Sequence, residues 1–414
     1  MGHVVLHLAA LASVCAAFRG DPSRQLVKVL APFGELRRAL THADRDDFEG
    51  IYEDHVILWA NATHIADLKA NSLSFEWAED AGASAHLKER ARQYRDGPPG
   101  TPPDWAQSCG YECLSQRLQG LAESCKYPIQ VTSIGTTAYK RNMWAVKIGS
   151  IGPEVLMAAN IHGDETVGGQ LLQRWIWSTC NNATTEQSNV AKSVVAWYIP
   201  MFNPDGFEQN TRLNGYGSDL NRDMPGPLGA QGLTQPETQA LVRFEKQHNF
   251  VSSLMFHGGA IVCNTAWDSC YSSSFIPSPC PPALPRNSAE HLASSKAYCD
   301  SMMKEGVVCT VGVDCQTNGA SWYQISGSVQ DFEAYNKSIL SMTMEISSTK
   351  RPDPATLPGY YSKNYLAIYN FMMYPVSRKQ KNRQHRVSAL QVAHGRGLRT
   401  GTLRKRDAAV LGED

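Results

Sequence analysis

Four short apolar runs constrain the fold of this 414-residue chain more than anything else in it: VLMAANI (155–161), SVVAWYIP (193–200), SSLMFHG (252–258) and SMTMEIS (341–347). Each has the length and the apolar content of a strand. Helix candidates such as 166–178 and 236–248 alternate with them. Strands alternating with helices from about 107 to 375 imply an α/β domain whose sheet is mixed, largely parallel, twisted and flanked by helices.

The rest of the chain sets the context. With 42% apolar residues it can bury a large core, and its length favours more than one unit. The net charge of zero and a pI of 7.2 give no strong field towards nucleic acid or a membrane surface, so neither is expected as a partner. Residues 1–17 form an apolar stretch too short for a comfortable membrane span and end in small residues, which reads as a cleaved signal peptide. No Lys or Arg precedes the stretch, and a buried N-terminal helix is the alternative. Removal of Cys15 with the signal leaves ten cysteines, an even number, and sequons start at Asn61, Asn182 and Asn336. A secreted or lysosome-like secretory location is expected, for a monomer without a transmembrane segment.

Composition shifts mark the boundaries. Residues 18–95 contain strand-like HVILWA (55–60), helix-like THIADLKA (63–70) and strand-like LSFEWA (73–78), a small β-α-β unit. A Pro/Gly-rich linker follows at 96–106, and the main domain spans 107–375. The tail, 376–414, holds ten Lys/Arg against three acidic residues with little apolar periodicity, and is expected to be disordered or removed.

Ligands of open α/β sheets bind beyond the carboxyl ends of strands. VLMAANI delivers His162 to that edge, Glu165 opens the next helix, and the run SSLMFHG offers His257 at a second strand end, ninety-two residues after Glu165. Two histidines and a glutamate hold zinc with a fourth position open for water. Taken singly, each histidine reads more readily as an ordinary strand-end residue than as a ligand.

Further motifs follow in order: NPDGFE (203–208), DLNRD (219–223), GASWYQISGSVQD (319–331) and TMEIS (343–347). With the His-x-x-Glu pair and the distal His, they make the chain from Tyr111 to Tyr374 resemble the zinc metallocarboxypeptidases of the carboxypeptidase A/B and N/E kind. The resemblance implies one Zn2+ per chain on His162, Glu165 and His257, and a general base at Glu345. It implies a clamp for the substrate's terminal carboxylate at Asn221 and Arg222, and Tyr323 closing over the substrate. Arg212 would polarise the scissile carbonyl, although the segment between NPDGFE and DLNRD is shorter than is common in the family. Zinc acidifies water, a carboxylate takes the proton, and a guanidinium can pair bidentately with a carboxylate. The partners implied are peptide or protein C-termini.

The N-terminal unit is similar in pattern to the α+β propeptides of the A/B subfamily, and the basic run KERARQYR (88–95) suits cleavage by a trypsin-like protease. An accessory domain without a regulatory role is the alternative. Where the N/E subfamily carries a β-sandwich after its catalytic domain, the resemblance is expected to give way here to the basic tail. The family's pocket floor lies fifteen residues before the catalytic Glu, here Gln330, and its N/E-type acidic partner eleven after the third ligand, here Asp268. Together they imply a preference for C-terminal Arg or Lys. Apolar or broad specificity, hydrolysis of a different amide bond, and a non-catalytic binding protein remain as alternatives.

Overall fold

The computed structural model describes residues 24–40, 43, 48–78, 102–226, 232–269, 288–312 and 314–397. The expected signal peptide, the basic run at 88–95, most of the 96–106 linker, Cys270 and Cys280 lie outside them.

The N-terminal unit runs β1 (Gln25–Val29), α1 (Phe33–Ala39), β2 (Phe48–Ile51), β3 (Val56–Ala60), α2 (Ala62–Ala70), β4 (Phe75–Trp77). Its antiparallel sheet has the order β2-β3-β1-β4. The β-α-β unit read from the sequence is β3-α2-β4, with β1 inserted between its strands. Asn61 starts α2, its side chain accepting from the His64 amide. Val27, Val29, Leu36, Val56, Leu58 and Leu68 fill one core, and that core continues into Ala260, Val262, Trp322 and Tyr323 of the larger unit.

The larger unit carries strands β5 (Ile129–Thr136), β6 (Asn142–Ile148), β7 (Glu154–Ala159), β8 (Val195–Ile199), β9 (Phe250–His257), β10 (Ala260–Thr265), β11 (Gln316–Asn318) and β12 (Leu340–Ser347). They form one sheet ordered β11-β10-β12-β9-β7-β8-β6-β5. The central four, β12-β9-β7-β8, are mutually parallel, and antiparallel pairs flank them. Helices α3 (Tyr111–Ser124), α4 (Val167–Asn182), α5 (Thr185–Ser193), α6 (Pro204–Gln209), α7 (Pro236–Glu245), α8 (Ser288–Lys304) and α9 (Leu357–Gly397) complete it. The apolar runs have a plain cause. Val155, Met157 and Ala159 of β7 join a core with Leu171 and Trp175 of α4, whereas Leu156 and Ala158 join the opposite core with Leu241 and Phe244 of α7. A strand covered on both faces has no polar side to show.

Disulfides link Cys109–Cys113, Cys125–Cys180, Cys263–Cys299 and Cys309–Cys315. No helix among the described residues is long and apolar enough to cross a membrane. Helix α9 runs past the expected domain end at 375 into the segment expected to be disordered or removed, as far as Gly397. No glycine or proline interrupts 376–394, and its Lys, Arg, Gln, Ala and Leu are good helix formers.

Candidate active site and metal centre

The chain goes from β7 through α4 to β8 on one side, then from β8 through α7 to β9 on the other. The order reverses between β7 and β9, and the C-terminal ends of that pair are where a ligand crevice forms. His162 follows β7, and His257 ends β9. Asn160, with φ 60°, turns the chain out of β7, and its Nδ2 donates to the carbonyl of Glu165 at 2.7 Å. Gly163 lies so close to the short helix α6 that a Cβ there would meet the Gly206 carbonyl carbon at 2.0 Å. Asn203 of the NPDG motif fixes the start of that helix: it caps α6 and donates from Nδ2 to the carbonyls of Ile161 and Leu213, both at 3.2 Å.

Three buried donor atoms converge. Glu165 Oε2 lies 3.0 Å from His162 Nδ1 and 2.9 Å from His257 Nδ1, and the two Nδ1 atoms are 3.1 Å apart. A tetrahedral cation ~2.0–2.1 Å from each ligand puts its ligand atoms roughly 3.3 Å apart, so these edges fit three corners around zinc. His162 Nε2 lies 3.1 Å from Asp219 Oδ1, the carboxylate–imidazole arrangement that leaves Nδ1 free to ligate. Burial would raise the pKa of Glu165, but the two imidazoles outweigh it and hold the group well below the usual glutamate range. Asp219 is likewise held low against burial, by Arg212 and then His162.

Around the triad the structure brings together most of the candidate residues. Arg212 is gripped by Asp219, from Nε at 3.0 Å and Nη2 at 2.9 Å, and presents Nη1 3.3 Å from Glu165 Oε1. Glu165, Arg212, Tyr323 and Glu345 line one cavity, roofed by Phe48 and Ile51 of the N-terminal unit and leaving ≈ 20 Å³ free. That is room for water and not for an amino-acid side chain.

The other candidates lie off this cavity. Asn221 and Arg222 occupy a single turn directly after Asp219. Asn221 Oδ1 accepts from the Val329 amide at 3.0 Å, while Arg222 is 3.7 Å from Asp219 Oδ2. Gln330 is 1% exposed, and neither end of its amide has a hydrogen-bond partner among the described residues. Asp268 is buried, its Oδ1 accepting from Asn264 Nδ2 at 3.0 Å. The two are joined by a residue the sequence reading missed. Asp331, next to Gln330, accepts from the Asp268 amide at 2.8 Å, the Ser269 amide at 3.0 Å and the Ser269 hydroxyl at 2.7 Å. Burial, and then the charge of Asp268, push its pKa up to about 7. Asp219 is the other missed residue. Its signal was available in the motif DLNRD, two positions before Asn221.

Comparison with known proteins accords with this geometry. The sequence profile of the zinc carboxypeptidase family matches residues 114–367. Carboxypeptidase SOL1 of Arabidopsis thaliana is 30% identical over 279 residues, 63% of this chain and 54% of that protein. Carboxypeptidase M of Mus musculus is 29% identical over 290 residues, 63% of this chain and 64% of its own, and carboxypeptidase D of Drosophila melanogaster is 30% identical over 292 residues, 63% and 21%. The chain thus spans from about a fifth to under two thirds of these relatives' length. In fold it is similar to carboxypeptidase A from Helicoverpa armigera, with TM-score 0.67, 14% identity, and coverage of 86% of this chain and 98% of that one. The crystal structure of thrombin activatable fibrinolysis inhibitor gives TM-score 0.65 and 14% identity, over 86% and 99%.

Proposed function

The chain belongs to the zinc carboxypeptidase family, and we propose that it is a secreted or secretory-route exopeptidase that removes the C-terminal residue of peptides or proteins, preferring Arg or Lys. The observation that carries this reading is the convergence of His162, Glu165 and His257 beside a cavity shared by Arg212, Tyr323 and Glu345.

Bound by those three residues, zinc supplies Lewis acidity, acidifying water and polarising a carbonyl. The residues of the chain do the rest. Glu345 takes the proton of the attacking water and returns it to the leaving amine. Arg212, held by Asp219, stabilises the negative charge that grows on the carbonyl oxygen, a contribution of typically ~3 kcal/mol. Arg222 and Asn221 receive the terminal carboxylate, and Tyr323 covers the substrate. For a basic side chain, Gln330, Asp268 and Asp331 supply a buried acceptor set. The roof that Phe48 and Ile51 place over the cavity supports reading the N-terminal unit as an inhibitory propeptide. The disulfides support an oxidising compartment.

Zinc analysis together with a panel of blocked dipeptides, assayed with and without chelator, tests this reading. About one zinc per chain and chelator-sensitive release of the last residue are expected. Turnover that survives full zinc removal sinks it.

A further inference from the structure

Lys350 follows β12, and is 3% exposed beside the metal site. Its carbonyl accepts from the Thr166 amide at 2.9 Å, and its side chain lines the catalytic cavity. Two carboxylates face the ammonium: Glu49 of the N-terminal unit at 3.5 Å and Asp164 at 3.6 Å. Neither makes a hydrogen bond to it, and Nζ has no such partner among the described residues. A buried ammonium with three donors and only loose ion pairs is a site made to receive an anion.

Its position says which anion. Glu165 divides the site: Oε1 faces Arg212, and Oε2 accepts from the Gly258 amide at 3.2 Å. On the Arg212 side lie Asp219 and the Asn221–Arg222 turn proposed to hold the terminal carboxylate. Lys350 lies on the Gly258 side, where a Cβ added at Gly258 would stand 3.7 Å from its Cα and one added at Gly259 would stand 3.4 Å from its Cε. That side is opposite the turn proposed to hold the terminal carboxylate, so on this reading the part of a substrate upstream of the scissile bond runs there, and the N-terminal unit occupies the same side. The Ile51 amide donates to the Gly259 carbonyl at 2.7 Å, as an extended substrate's backbone would. Next to it Glu49, steadied by Trp59 Nε1 at 3.2 Å, places its carboxylate against Lys350.

We propose that Lys350 is an anion subsite used twice: by Glu49 while the N-terminal unit covers the site, and by an acidic side chain one or two residues upstream of the scissile bond in a substrate. The inference rests on the carboxypeptidase reading and adds a preference on the amino side of the bond.

The test uses the full chain with a specific protease site placed in 96–101, cut and freed of its N-terminal fragment. Matched blocked peptides carry Glu or Gln at those two upstream positions. The Glu peptide is expected to have a kcat/KM about 3- to 10-fold higher, residing in KM, in wild type and in Lys350→Arg. The ratio should fall to about one in Lys350→Met, and in wild type at 1 M salt. A ratio near one in wild type, or one that persists in Lys350→Met, overturns the subsite. Should Lys350→Met not fold, the salt series on wild type decides alone. If neither peptide is cleaved or bound, the carboxypeptidase reading fails and takes the subsite with it. Equal handling of both peptides removes the subsite only.

Discussion

Glu345 and His257 are register partners on adjacent parallel strands, β12 and β9, so the proposed proton acceptor and the proposed metal ligand emerge side by side towards the C-terminal ends of those strands. Sheet pairing fixes their separation, and substitution of one need not disturb the other. Glu345→Gln is therefore expected to keep fold and zinc while losing at least ~10³-fold in kcat, because the proton acceptor is gone. His257→Ala should lose zinc and activity together. A Glu345→Gln enzyme that retains a tenth of wild-type turnover, or His257→Ala with undiminished zinc affinity, would remove that residue from its role.

Phe48 and Ile51 line the proposed catalytic cavity, and the Tyr52 hydroxyl meets Thr349 Oγ1 at 2.7 Å beside them. A chain expressed from residue 20 should therefore turn over small substrates at least ~10-fold more slowly than the same chain cut in 96–106. The double variant Phe48→Ala/Ile51→Ala should recover part of that difference without cleavage. Equal rates for cut and uncut wild type would show that the segment does not inhibit, leaving it at most a folding role.

The positions legible in the sequence are those whose place in the fold is written locally. His162 and Glu165 sit at a strand end and a helix start, and β9 and β12 announce themselves as apolar runs. The residues that act by long-range contact are not so marked. Lys350 meets Glu49 across some three hundred residues, and Asp331 braces Asp268 across sixty-three, with nothing periodic to flag either. The first half of the N-terminal unit hides for another reason. Strand β1, QLVKV, is short and half polar, and its pairing with both β3 and β4 is set only once the chain has come round. The helix through the basic tail is a case where propensity outweighs the lack of an apolar stripe.

A second pair of buried acids, Glu245 and Glu333, should make stability depend on pH. Ser253 and Ser341 donate to Glu333, which favours its ionised form over that of Glu245. Burial, and then the charge of Glu333, hold Glu245 well above the usual 4.5, and burial also raises Glu333. Below 4.5 the groups are protonated folded or unfolded. Above it the folded chain keeps a proton the unfolded chain has lost, so stability falls as pH rises from there through the raised folded value. Glu245→Gln should reduce the drop in Tm between pH 5 and pH 8 by roughly 2–5 °C. An identical pH profile in the variant would show that the pair is not the source.

The proposed specificity pocket should also respond to pH, in the opposite sense. A Lys or Arg side chain favours ionised carboxylates, and Asp331, which titrates near 7, is fully ionised only above that value. KM for a blocked dipeptide ending in Arg should rise about 5- to 10-fold from pH 8 to pH 6, while KM for its Phe counterpart stays level. Asp331→Asn should flatten the Arg profile. Asp268→Ala should lower the Arg-over-Phe ratio of kcat/KM by ~30-fold or more, the scale of losing a buried charge partner. Asp268 also shapes the Gly319 turn, since a Cβ at Gly319 would meet its Oδ1 at 1.9 Å, so Asp268→Asn, which keeps the shape and removes the charge, separates packing from recognition. A preference for Phe in wild type, or an unchanged ratio in both variants, would place the determinant of specificity elsewhere.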